Sequence, residues 1–384
     1  MYSYKLSSAQ ISKMRIWVLA PYLQTNDPNL DYYYDFTQSI AEYTRIFEAL
    51  NMSWQWQPVT LDNYASIIAK IQAEKDLGDI TPVVLNLCDG DEINGTPGIS
   101  VVRMLDASGL IYTGADAYFY TVTTSKIPMK KAFDAAKLPT APWAAIYKPD
   151  QIPDKLIEQL GAPLIVKPSV SGGSMGVGIR NVVEDEAALA TQVKAMFNGY
   201  RGWNLAADGL IAETFIEGPE FTTMVVGSWT SPQHCTVYKA VERVFHSSLP
   251  AKEKFLSFDR LWEIYEEETP MPGNEHFYEY REASADLQDA LKQLSLEAFL
   301  SVKGTGYTRI DIRQDIHTGK LYVLEVNAQC GLSEDEDYTS IGAILKINHQ
   351  SFADLIMEII GEAVDRHTKQ QHKSTEVLRS SSVS

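Results

Sequence analysis

Two stretches of this 384-residue sequence combine residue types and spacings suited to chemistry. The first is LIVKPSVSGGSMGVG, residues 164–178, where an apolar strand delivers Lys167 into a loop holding Gly172, Gly173, Ser174, Met175 and Gly176. Glycines let backbone N–H groups approach phosphate oxygens closely, and a lysine adds a point charge. The loop has neither the GK[ST] of a Walker A sequence nor a GxGxxG opening a helix, so phosphate binding and a plain flexible connection stand equally open from this stretch alone. The second is the pair YTRIDIRQD and KLYVLEVNA, read as strands joined by the turn IHTG. Alternate residues of a strand share a face, so Glu325 and Asn327 converge, and Arg309 lies on the face of Asp311. An adjacent antiparallel strand brings Asp311 beside that pair. Two carboxylates and an amide oxygen make a hard oxygen set fit for Mg²⁺ held jointly with phosphates. Arg309 suits neutralisation of a developing oxyanion, or equally a salt bridge to a neighbouring acid.

Weaker signals lie elsewhere. IAETFIEGPEF carries Glu213, Glu217 and Glu220 around a strand and turn, where one acid is suited to accepting ribose hydroxyls. His246 and His276 have no serine or cysteine partner pattern, and no GxSxG occurs, so a side-chain nucleophile has little support.

These residues need elements to hold them. MRIWVLA (14–20) reads as a buried strand. Residues 35–50 read as a helix in which Phe36, Ile40, Tyr43, Ile46, Phe47 and Leu50 recur near a 3.6-residue period. PVVLNLC (82–88) is a second strand running into the turn-rich DGDEINGTPG. Strands alternating with helices predict a parallel α/β unit, with the loop after Leu87 on the ligand side. From Thr123 the pattern restarts with a helix (SKIPMKKAFDAA), the glycine-loop strand, a helix over 185–197 and the strand GLIAETFI. Residues 245–275 read as a long polar, aromatic surface loop of the kind that forms lids. A helix over 284–302 precedes the acidic strand pair, and a last helix covers 349–366. The predicted division is 1–122, 123–228 and 229–366, with residues 367–384 a polar tail expected to be disordered.

Composition narrows the function. The formal net charge of −17 argues against duplex nucleic acid or an anionic membrane as partner. No run reaches the roughly 18 to 20 apolar residues of a membrane helix. Cys88, Cys235 and Cys330 are widely spaced, so neither a disulfide framework nor a zinc cluster is expected, and the cytoplasm is the default compartment.

Taken in order, SKIPMKK, LIVKPSVSGGSMGVG, ETFIEGPEF, YTRIDIRQD and YVLEVNAQCG resemble the motifs of the ATP-grasp superfamily, most closely D-alanine–D-alanine ligase and its relatives, over roughly residues 83–362. The resemblance implies a mixed α/β (α+β) ATP-grasp fold behind an N-terminal parallel α/β domain. It implies ATP with Mg²⁺ (or Mn²⁺) as cofactors, a small carboxylate and a small amine as substrates, and a homodimer. Lys126 and Lys167 would contact the ATP phosphates, covered by the loop Gly172, Gly173, Ser174, Met175 and Gly176. Glu213, with Thr214, Phe215 and Ile216, would line the adenine pocket, and Glu220 would hold the ribose. Asp311, Glu325 and Asn327 would bind the metal. Arg309 and the Gly331 N–H would stabilise the tetrahedral intermediate formed when an amine attacks an acyl phosphate, with Ser174 alongside.

The sequence departs from that family where substrates would sit. The family's Ser-Glu-His type segment is replaced by LAPYLQTNDPNLDYYYDFTQS, in which Tyr32 to Tyr34 could border a bulky substrate or pack at a helix start. Its histidine-glycine turn becomes Leu87-Cys88-Asp89-Gly90-Asp91. Its lid lysine is lost near SFDRLW, where Arg260 is the nearest cation. The acidic stretch Glu334 to Asp337 intervenes before Ser340, and could meet an amine-bearing partner or merely face solvent. Asp89, Asp91 and Ser340 are thus the expected substrate contacts. The expected activity is an amide-forming ligase for at least one amino acid. A genuine D-alanine–D-alanine ligase, a small-molecule kinase and a catalytically silent nucleotide-binding protein are the alternatives.

Overall fold

The computed structural model describes residues 4, 6–23 and 35–381, so the run Tyr32 to Tyr34 lies outside the described residues. Three sheets organise the chain. Strands β1 (Met14–Pro21), β2 (Ser53–Val59), β3 (Thr81–Asn86) and β4 (Ile111–Tyr112) form a parallel sheet in the order β2-β1-β3-β4. Parallel strands need crossovers, supplied here by the helices Thr37–Ala49, Tyr64–Leu77 and Ile99–Ser108. Both faces are thereby covered, which is why β1 is almost uniformly apolar and buried. In the first of these helices Tyr43, Ile46 and Phe47 enter the core, whereas Ile40 stays exposed.

The second sheet contains β5 (Trp143–Ile146), β6 (Leu164–Pro168), β7 (Val182–Val183) and β8 (Leu210–Thr214), antiparallel in the order β5-β8-β6-β7. The helix Glu186–Phe197 starts at Asp185, whose carboxylate accepts from the Ala188 N–H at 2.8 Å. It buries Leu189, Val193 and Met196 against Leu164, Val166, Leu210 and Ala212.

The third sheet runs β12 (Tyr278–Glu282), β11 (Val241–Phe245), β9 (Glu220–Ser228), β13 (Thr305–Gln314) and β14 (Leu321–Ala328), with β10 (Thr236–Val237) beside β9. Here β9 differs from the expected division, which gave it to the central unit. Its hydrogen bonds go to β11 and β13, so the chain changes sheet in the turn 215–219 rather than at 228. The helix Ala285–Ser301 packs on this sheet, and the last helix runs Phe352–Ser381, through residues expected to be a disordered tail. Among the described residues no helix is long and apolar enough to cross a membrane.

Candidate active site

The third sheet lays a polar ladder along one face. Antiparallel pairing sets Asp311 opposite Glu325 and Arg309 opposite Asn327, with a bulge immediately after Asp311. On the other side Thr222 pairs with Asp311, and Glu220 pairs with both Arg243 and Arg313. The expected convergence of Asp311, Glu325 and Asn327 is therefore a consequence of strand register. Asp311 Oδ2 accepts from Arg309 Nη2 at 3.1 Å and from Asn327 Nδ2 at 3.0 Å, and Oδ1 accepts from the Thr222 hydroxyl at 2.9 Å. Burial pushes the Asp311 carboxyl up, but Arg309, Arg243 and that hydroxyl outweigh it and hold it below the ordinary aspartate value. Glu325 meets Lys126 Nζ at 3.2 Å.

The donor set fits a hard divalent cation. Two carboxylates face one space beside an amide whose oxygen and nitrogen can exchange places. Each carboxylate is balanced by one protein cation, Arg309 or Lys126, that also borders the cavity. The third member is an amide rather than an acid, and no group of three His, Cys, Asp or Glu side chains occurs among the described residues.

Across the cavity, β6, β8 and the helix Lys126–Ala135 supply a buried charge triad. Glu213 receives Lys167 Nζ at 2.7 Å on one oxygen and Lys130 Nζ at 2.7 Å on the other. Burial raises the Glu213 carboxyl, yet the two lysines bring it down to about 2. Lys130 was not singled out from the sequence, although it lies one helical turn after Lys126 in KIPMKK and so shares its face. Arg243 and Arg313, which bracket Glu220, were also missed. Arg313 stands two residues beyond Asp311, so the alternation Arg309, Asp311, Arg313 was a readable signal.

The glycine loop is held by its own turns. Met175 N–H donates to Gly172 O at 3.0 Å and Val177 N–H to Ser174 O at 2.9 Å. Gly173, Ser174 and Gly176 adopt φ of 54°, 61° and 73°. A Cβ on Gly176 would come within 2.5 Å of the Leu205 side chain, so glycine is required there on both counts. Asn181 fixes the loop base, donating to Val166 O at 2.6 Å and Gly176 O at 3.0 Å. In the hinge after β8, Thr214 N–H goes to Pro142 O and Phe215 N–H to Pro163 O, while Ile216 O accepts from Arg313 at 3.1 Å. The Ile216 N–H has no acceptor among the described residues.

The segment 245–275 is a packed flap rather than a loose surface loop. Its stems are joined by His246 Nε2 and Glu275 Oε2 at 2.7 Å. Phe255 packs on Phe215, Phe258 on Trp203, and Trp262 Nε1 donates to Gly173 O at 2.9 Å. The flap therefore rests on the glycine loop. Arg260, the expected stand-in for a lid lysine, is instead buried within the flap, paired with Glu253 at 2.8 Å and Glu268 at 3.4 Å. Because Trp262 links the flap to the glycine loop, Trp262→Phe is expected to raise the KM for ATP about 2- to 12-fold, the net worth of one hydrogen bond. Steady-state kinetics at saturating co-substrates would show it, and an unchanged KM would mean the contact has no role in closure.

These elements enclose a cavity of about 670 Å³. Its walls include every expected site residue except Gly176, which packs outward on Leu205 while Val177 takes its place. Asp89, Asp91, Gly331 and Ser340 close the end away from the hinge. Asp91 is used locally, accepting from the N–H groups of Ile93 at 2.9 Å and Asn94 at 3.1 Å. A Cβ placed on Gly331 would meet nothing, so its backbone borders open cavity. Ser340 begins the helix Ser340–Asn348, capped by Thr339. Cys88 is not a substrate contact: it is fully buried, its thiol directed to Leu19 O at 3.8 Å. The acidic stretch is also accounted for internally, with Glu334 paired to Arg45, Glu336 to Lys346 at 2.7 Å, and Asp335 accepting from Gln38 at 3.3 Å. Glu334 and Asp335 thereby tie the loop to the helix Thr37–Ala49.

Comparison with known proteins agrees with this architecture. Residues 132–361 match the family model described as D-ala D-ala ligase C-terminus. A D-alanine–D-alanine ligase of Xanthomonas axonopodis pathovar citri is 28% identical over 254 residues, covering 65% of this chain and 69% of that protein. One from Clostridium beijerinckii is 25% identical over 315 residues, covering 78% and 93%. The crystal structure of the Bacillus anthracis D-alanine–D-alanine ligase complexed with ATP superposes with a TM-score of 0.64 at 18% identity, covering 93% of this chain and 99% of that one. With the family model spanning more than half the chain, and with the glycine loop, lysines and acidic strand pair meeting in one cavity, the chain belongs to the D-alanine–D-alanine ligase family, the ATP-dependent carboxylate–amine ligases of ATP-grasp fold.

Proposed function

We propose that the chain joins two small substrates, at least one an amino acid, through an acyl phosphate formed from ATP, with release of ADP and phosphate. The observation that supports this most is the strand register that sets Asp311 against Glu325 and Arg309 against Asn327, facing Lys126 and the glycine loop. A carboxylate is a poor electrophile, and phosphorylation supplies a leaving group. That step asks mainly for alignment and charge neutralisation. In this reading the glycine loop N–H groups and Lys126 and Lys167 hold the phosphates, the Ile216 N–H and the hinge receive the adenine, and Glu220 borders the ribose while Arg243 and Arg313 fix its carboxylate. Asp311, Glu325 and Asn327 would hold Mg²⁺, which when bound neutralises phosphate charge during transfer. Arg309 and the Gly331 N–H meet the oxyanion as the amine attacks, and Ser174 steadies the loop above it. The flap keeps water from the acyl phosphate, which hydrolysis would otherwise waste.

The relatives' names carry D-alanine, and a pair of D-alanines is the first combination to test. The loops that depart from the family bring Asp89, Gly90, Asp91, Ser333 and Ser340 into the cavity wall, which favours a different partner for at least one position. A grid of amino acids, amines and carboxylates with ATP and Mg²⁺, read by ADP release and product mass, tests the reading directly. A dehydrated adduct supports it, whereas a phosphorylated product would make the chain a kinase. Asp311→Asn is expected to lower kcat at least about 100-fold and to weaken the apparent Mg²⁺ affinity by about 10- to 100-fold. A Mg²⁺ titration unchanged by the substitution would remove Asp311 from the metal site. The homodimer follows from the family resemblance alone, and sedimentation of the full chain tests it.

A further inference from the structure

We infer that Asp89 anchors the α-ammonium group of the amino acid whose carboxylate is activated. The inference rests on the ligase reading above and deepens it. It comes from the charges along the cavity wall. Six carboxylates line it. Glu213 is matched by Lys130 and Lys167, Glu220 by Arg243 and Arg313, Asp311 by Arg309, and Glu325 by Lys126. Asp91 is spent on two backbone N–H groups and the Asn94 amide. Asp89 alone, among the described residues, faces the cavity with neither a cation nor a hydrogen bond from another residue. Its side chain is exposed to the cavity, where the surrounding walls, with a smaller push from Asp91, raise its carboxyl above the ordinary aspartate value against the pull of its own N–H.

The loop that carries Asp89 is fixed at the reacting end. The buried Gln329 side chain donates to Cys88 O at 2.9 Å and accepts from the Ala115 N–H at 3.3 Å, tying residue 88 to the end of β14, two residues before Gly331. Tyr120 donates its hydroxyl to Gly90 O at 2.7 Å. A Cβ on Gly90 would lie 2.2 Å from Thr96 O, so the turn admits only glycine at that point. Asp89 and Gly331 both line the cavity wall. An α-amino acid carries its ammonium one carbon from its carboxylate. With that carboxylate between Arg309 and the Gly331 N–H, the ammonium group meets Asp89. A carboxylic acid lacking the amino group leaves Asp89 unpaired and adds a second negative charge near it.

The test pairs each common amino acid, in D and L form, with the carboxylic acid that lacks only its amino group. ADP release by the full chain and by Asp89→Asn is measured at saturating ATP and Mg²⁺. The wild-type chain is expected to favour the amino acid by about 30-fold or more in kcat/KM, within the range for a hydrogen-bonded charge pair. Asp89→Asn should cut that preference to about 3-fold or less through KM, leave the KM for ATP within about 2-fold, and melt no lower than wild type because it removes an unmatched charge. Calorimetric binding of the same amino acids with Mg²⁺ and a non-hydrolysable ATP analogue gives the same comparison without turnover. An unchanged preference in Asp89→Asn, in rates or in binding, overturns the assignment and leaves the ligase reading intact. ADP release that depends on no carboxylate overturns the ligase reading, and the anchor with it.

Discussion

Glu213→Ala is expected to destabilise the folded chain by about 3–5 kcal/mol, because it strips the counter-charge from two lysines in a place with little water. Lys130 is fully buried and Lys167 largely so, and each sits 2.7 Å from a different oxygen of Glu213. Among the described residues Lys130 forms an ion pair with no other acid. The cost should appear as a lower urea midpoint at unchanged slope, together with lost ATP affinity, since Lys167 borders the cavity. A pH series adds a signature. The carboxyl ionises at about 2 in the folded chain, against 4.5 for an ordinary glutamate. Its folded value is depressed, so its contribution is complete above about pH 4.5 and drains away as pH falls toward about 2. Wild type and Glu213→Ala should therefore converge in stability on acidification. Parallel acid limbs in the two proteins would show that the triad is not what holds this corner.

Arg309→Met is expected to lower kcat by about 10²- to 10³-fold, the usual cost of removing one donor to a developing oxyanion. Nucleotide binding should change little, because the lysines and the glycine loop remain. Arg309→Lys should recover only part of the rate, since an ammonium cannot hold Asp311 through two nitrogens as the guanidinium does at 3.3 and 3.1 Å. Rate and affinity distinguish the roles. A loss in ATP affinity as large as the loss in kcat would mean that Arg309 acts by holding Asp311 in place, not by meeting the oxyanion.

Much of this was legible in the sequence because it follows from local rules. Period-two alternation put Glu325 and Asn327 on one face, and a short turn made their strand antiparallel to Asp311, so the ladder could be foreseen before any distance was known. What could not be foreseen depends on contacts between distant segments. Nothing near Glu220 announces that β9 pairs with a strand about 90 residues further on, so the expected boundary at 228 fell after β9 instead of before it. Lys130 looked like one more surface lysine of a helix until Glu213 was seen opposite it. Arg260 and the acids Glu334 to Glu336 looked available because sequence displays a charge but not its partner, and Glu253, Arg45 and Lys346 had already claimed them. The flap was recognised by composition, whereas its seat on the glycine loop depends on Trp262 reaching Gly173 across 89 residues.

The cavity draws its two ends from different lengths of chain. The glycine loop and the acidic strand pair belong to the second and third sheets, whereas other parts of the wall come from loops at 88–98 and 333–341, one following a strand of the first sheet and the other bound to the helix Thr37–Ala49 by Arg45 and Glu42. Substitutions in those loops can thus alter what the cavity admits, one loop at a time, without touching the strand pair and glycine loop that form the rest of its wall.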